Sequence, residues 1–105
     1  MNIEKIRKRF IPMSETMLYI LLSLKEERHG YGIMQHVKEI TGGRIVLGAG
    51  TIYQSLGKLE GDGLISPVEE IDRKKIYMIT GIGKQILIEE ANRIREIYKN
   101  VEGLL

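Results

Sequence analysis

Thr51, Gln54, Ser55 and Lys58 follow one another at spacings of 3, 1 and 3, so on a helix they share a face. That face is polar, short-chained and nearly free of acid. Gln can pair with adenine, Ser and Thr with several bases, and Lys with guanine or a phosphate, so this set has the chemistry to read a DNA groove. Tyr53 stands beside it, either to reach a phosphate through its hydroxyl or to fill the core. Arg73-Lys74-Lys75 and Lys5-x-Arg7-Lys8-Arg9 are two further basic points. Each could attract phosphates, the second as a basic N-terminal arm, and each could equally be solvated surface.

The case for catalysis is empty by comparison. The chain has no Cys, which removes thiol nucleophiles, disulfides and Cys-ligated metals. His29 and His36 are the only two histidines, and zinc needs three or four ligands. Neither sits in a nucleophile motif with Ser. His29 is expected to make a turn hydrogen bond instead. Gly42-Gly43 and Gly48-x-Gly50 lack the Gly-Lys-Ser/Thr ending of a phosphate loop. We expect no enzyme, no metal and no cofactor.

The elements that must hold these residues are short. A length of 105 residues fits one domain, and a chain this small leaves surface that a second copy can cover. Lys and Arg number 16 against 14 Asp and Glu, too even a balance to announce nucleic acid. Its distribution says more: residues 1–58 carry nine basic and five acidic side chains, residues 59–105 seven and nine. The longest apolar run, Met17 to Leu22, is far short of the roughly 18 residues of a membrane span. No signal-peptide pattern follows the basic start. A soluble, cytoplasmic protein without a membrane partner is expected.

Along the chain, glycines punctuate periodic segments. Phe10, Ile11 and Met13 form an apolar lead-in, or a helix of its own stopped near Pro12. Ser14 caps a helix running to about Leu24. Ile33, Val37 and Ile40 mark one face of a second helix, about 32–40, closed by Thr41-Gly42-Gly43. Ile52, Leu56 and Leu59 mark a third, from about Ala49 to Asp62, weakened by Gly57 and Gly61. Two β-prone runs, 64–71 and 76–79, flank the polar tetrad Asp72-Arg73-Lys74-Lys75 and read as a hairpin. Pro67 places its strand at an edge. Thr80 caps a long last helix, about 81–104. Its seam Leu87, Ala91, Ile94, Tyr98, Val101 and Leu105 spaces at 4, 3, 4, 3, 4, and Glu89, Glu90, Arg93 and Glu96 belong to the solvated part. Part of that seam projects beyond so small a domain, and a second copy of the same helix is the economical cover.

The order is thus mainly α with a small β-hairpin wing: a winged helix-turn-helix, residues 1–80, with a basic arm, followed by a long C-terminal dimerisation helix, residues 81–105. Within it, His29-Gly30-Tyr31-Gly32-Ile33, then Gly50-Thr51-Ile52-Tyr53, then Gly63-Leu64-Ile65, then Arg73-Lys74-Lys75-Ile76-Tyr77-Met78-Ile79-Thr80-Gly81-Ile82-Gly83 occur in that order. The chain from about 14 to 90 resembles the PadR family of transcriptional regulators, in its short-tailed form. The resemblance implies a homodimeric DNA-binding repressor, often released by a small aromatic or amphipathic effector. Gly48-Ala49 stand where the family usually has Ser or Pro, a milder cap.

The expectation is therefore a sequence-specific regulator of double-stranded DNA. Thr51, Tyr53, Gln54, Ser55, Lys58, Arg73, Lys74 and Lys75 contact the operator, and the C-terminal seam joins two copies. Met13, Met17 and Tyr98 are the candidate effector pocket between subunits, with ordinary dimer core as the plainer reading. Some family members seat flat ligands between tryptophans; this chain has no Trp, so that mode does not carry over. The rival reading is a winged-helix protein–protein module that dimerises without specific DNA binding.

Overall fold

The computed structural model describes residues 2–105. Asn2 caps the first helix, α1 (Ile3–Phe10), by accepting from the amide of Lys5. Ile6 and Phe10, four apart, bury one face of it. The basic residues expected as an arm are therefore on a packed helix. The Arg7 guanidinium reaches Glu89 of the last helix, 2.9 Å from Nε to Oε1, and Arg9 lies 3.2 Å from Asp62.

Three helices build the centre: α2 (Glu15–Ser23), α3 (Gly30–Ile40) and α4 (Ala49–Gly61). Their starts follow from single side chains. Ser14 accepts from the amide of Met17, and His29 Nδ1 accepts from the amide of Gly32 at 3.0 Å, the turn bond expected of it. Gly48 opens α4 with no side-chain cap bond. Ile20, Leu21, Ile33, Val37, Ile52, Leu56 and Leu59 close the core between the three.

The hairpin β1 (Ile65–Ile71) and β2 (Lys74–Ile79) is antiparallel, from Ile65 opposite Ile79 to Ile71 opposite Lys74, with a bulge between Pro67 and Glu69. On the far side of β2, the backbone of Tyr77 exchanges both hydrogen bonds with Arg28. β2 is thereby interior and β1 the edge, as Pro67 requires. The expected four-residue turn is shorter. Asp72 and Arg73 alone make it, at φ 50° and 65°, and Lys74 and Lys75 belong to β2. Two consecutive residues at positive φ fit the right-handed twist of a tight hairpin, here without a glycine.

Thr80 starts α5 (Gly81–Val101), which ends in a 3-10 turn, Glu102–Leu104. Thr80 Oγ1 accepts from the amide of Gly83 and donates to the carbonyl of Gly63, and its own amide donates to Leu64. One residue thus ties the end of β2 to the turn after α4. Glu90, expected on the solvated side, is fully buried. It accepts from the backbone amide of Met13 and from Arg93, and this pairing is what makes a carboxylate tolerable there. Beyond Glu90 no residue of α5 is buried.

A half-buried polar contact joins α2 to α3. Ser23 Oγ donates to the carbonyl of Tyr19, so it must accept from His36 Nδ1, 2.8 Å away, which fixes the Nδ1–H tautomer. Burial, and then the charge of Arg28, hold the His36 imidazole below its ordinary value. The unfolded chain consequently binds the proton first. This contribution to stability is complete above about pH 6.5, the unfolded value, and is lost as pH falls toward the folded one. We expect the melting temperature to drop on acidification from about pH 6.5, and less steeply in His36→Gln. Parallel slopes for both proteins would refute the assignment.

Candidate nucleic-acid interface

The burial of Ile52, Leu56 and Leu59 fixes which way α4 faces. Ser55 lies three residues from Ile52 and four from Leu59, so the 3.6-residue period turns it inward, and it is 8% exposed. The expected place of Ser55 on the groove-facing set is corrected accordingly. Thr51, Gln54 and Lys58 are exposed. The middle of the outward face belongs to Gly50, Gln54, Gly57 and Gly61, spaced 4, 3 and 4. A Cβ added at any of these three glycines meets nothing within 4 Å. Gln54 is thus the one long side chain on a line of bare backbone, which suits close approach to another surface. From sequence these glycines register only as weak points in the helix.

Tyr53 is resolved in favour of the surface, at 61% exposed. Its ring lies over the start of α3. A Cβ on Gly30 would stand 3.2 Å from both Tyr53 Cε1 and the hydroxyl, so glycine there is what lets the ring in. Tyr53 then shares one depression of about 380 Å³ with His29, Tyr31 and the wing residues Arg73, Lys74 and Lys75. Glu70, opposite Lys75 in the register, is the one carboxylate lining it. Burial raises the Tyr77 phenol above its ordinary value, so this group stays neutral at the back of the site. The Tyr53 flank of α4, the wing cations and the start of α3 are brought together, and the α3 N-terminus adds its positive dipole end. Tyr31, singled out only as part of a motif, stacks beside His29 with ring centroids 6.4 Å apart.

Lys58 lies elsewhere. It lines a depression of about 150 Å³ with Arg9, Phe10, Pro12, Met13, Ser14 and Met17. The two methionines of the candidate effector pocket therefore meet, but Met13 is 7% exposed in the core and Tyr98 does not line this depression. Of the seam residues, Leu87 is half-buried, while Ala91, Ile94, Tyr98, Val101 and Leu105 are exposed. No group of three His, Asp or Glu side chains among the described residues is placed to hold a metal ion. No helix among them is long and apolar enough to cross a membrane.

A helix-turn-helix whose second helix faces outward beside a two-stranded hairpin defines the winged helix-turn-helix class. The sequence pattern of the transcriptional regulator PadR-like family matches residues 17–89, and the chain belongs to that family. It is 31% identical over 98 residues to the transcriptional regulator YqjI of Escherichia coli, covering 92% of this chain and 47% of that protein. Among solved structures, it is similar to a PadR family transcription regulator from Clostridium difficile, with a TM-score of 0.75 at 26% identity, covering 87% of this chain and 98% of that one. It is also similar to Bacillus subtilis PadR in complex with operator DNA, with a TM-score of 0.63 at 33% identity, covering 72% of this chain and 46% of that one. The chain spans under half the length of the curated relatives it matches. The family and these relatives are transcriptional regulators rather than enzymes.

Proposed function

We propose that the chain is a dimeric, sequence-specific DNA-binding repressor that a small aromatic or amphipathic effector releases. The observation that carries the reading is the shared depression of Tyr53, Arg73, Lys74 and Lys75 beside the outward line of α4. A helix in the major groove with cations on its flank is what phosphate anchoring around a base-reading element requires. Operator DNA on the similar Bacillus subtilis PadR supports the same partner here. In this reading residues 1–80 bind DNA in the cytoplasm. Residues 81–105 join two copies through Leu87, Ala91, Ile94, Tyr98, Val101 and Leu105. Half-sites then lie about one helical turn, or a multiple of it, apart. An effector held between the subunits acts by shifting that spacing.

The test is titration against the DNA upstream of its own gene and against an unrelated duplex, each at two salt concentrations. Six wing cations per dimer predict an affinity loss of about 10³ or more between roughly 50 and 200 mM salt. Preference for the upstream duplex supports a specific regulator. Absence of binding even at low salt overturns it in favour of the interaction module.

A further inference from the structure

We propose that Arg9, Lys58 and the start of α2 form a second seat for a DNA backbone phosphate, on the flank of α4 opposite the wing. This rests on the DNA-binding reading and extends it to Arg9 and the start of α2, outside the helix-turn-helix and wing. At about 100° per residue, Tyr53 and Lys58 fall on opposite sides of the outward line Gly50–Gln54–Gly57–Gly61. Tyr53 goes with the wing depression, and Lys58 with the other one. The major groove is about 12 Å wide, close to the diameter of a helix with its side chains. A helix lying in it therefore turns one flank toward each phosphate backbone. The wing clasps one, and the Lys58 flank meets the other.

The second depression has the chemistry for that role. Three elements converge on it: Arg9 from α1, Ser14 at the start of α2 and Lys58 from α4. No carboxylate of the described residues pairs with Lys58. Arg9 is 59% exposed, and its one partner is the buried Asp62, 3.2 Å away, which orients it while offsetting part of its charge. Glu15, the acid next to Ser14, is engaged by Arg44. Ser14 Oγ takes the amide of Met17, which leaves the amides of Glu15 and Thr16 at the positive end of α2 without an intrahelical acceptor. Two cations at one small opening, beside the positive end of α2, suit one phosphodiester. Lys58 accordingly anchors the backbone instead of reading a base.

Lys58→Gln, Arg9→Gln and Arg73→Gln, each in the full chain, are compared with the parent on the two duplexes named above. The readout is the slope of log affinity against log salt. With two copies per dimer, Lys58→Gln and Arg9→Gln should each flatten the slope by about 1.8, with the ratio between the two duplexes unchanged. Because Lys58 is exposed, its variant keeps the test clear of any loosening at Asp62 in Arg9→Gln. A flattened slope for Arg73→Gln alone overturns the second seat and leaves the DNA reading standing. A changed duplex ratio in Lys58→Gln overturns it too, by making Lys58 a base reader. A parent protein without salt-dependent binding overturns the DNA reading itself, and the seat with it.

Discussion

Gly83→Ala should cost about 3 kcal/mol of unfolding free energy or more, at the top of the range for overpacking a core. A Cβ there lies far inside contact distance of the Leu64 carbonyl oxygen and 2.7 Å from Ile79 Cγ1. The first of these is backbone, so no rotamer change relieves it. The same few atoms carry the Thr80 hydrogen bonds that join α5 to the turn after α4 and to the wing. A shift that admits one methyl thus loosens α5, α4 and the hairpin together. Gly57→Ala is the control with opposite sign. Gly57 is helical and its Cβ meets nothing within 4 Å, so the substitution should add roughly 0.5–1 kcal/mol. Urea unfolding of the two variants measures both. A Gly83→Ala protein as stable as the parent would mean that α5 does not seat on Leu64.

Which parts of this were legible in the sequence follows from the range of the forces involved. Ser14, His29 and Thr80 start helices through side-chain bonds to an amide three residues on, so the sequence carries the whole motif locally. The 4 and 3 spacings of Ile52, Leu56 and Leu59 are equally local. The start and length of α1 are hidden because its two buried residues, Ile6 and Phe10, stand among charges, and Arg7 finds its partner only 82 residues later, at Glu89. Glu90 looks solvated until the backbone amide of Met13 arrives from the other end of the chain. The inward turn of Ser55 was legible in principle. Its spacing to Ile52 and Leu59 places it with them, and grouping it with Thr51 and Gln54 put polarity ahead of period. The two faces of Tyr53 could not be separated without Gly30, which only the packing of α3 on α4 brings near. What stayed out of reach is tertiary. It is also what divides the flanks of α4 into a wing side and an α1 side.

The outer half of α5 carries the second large effect. From Ile94 on, α5 and the turn that ends it expose Ile94, Ile97, Tyr98, Val101, Leu104 and Leu105, and Ile94, the least exposed of them, is still 39% open. Isolated exposed apolar residues are ordinary; a run of them along one projecting helix is an association surface. Ile94→Asp combined with Val101→Asp puts charge on that surface and touches no buried contact of its own chain. In the proposed dimer both substitutions meet their symmetric copies, because a two-fold interface is self-complementary. The expected result is a monomer in sedimentation equilibrium, with the helical circular dichroism of the parent largely retained. Affinity for a two-half-site duplex should then fall by about 10² to 10⁴, because the second half-site loses the effective concentration that linkage supplied. Affinity for a single half-site should barely move, since Gln54, Tyr53 and the wing are untouched. Equal losses on both duplexes would place the seam inside the DNA-binding unit, and an unchanged dimer would place the joint between copies elsewhere on the chain.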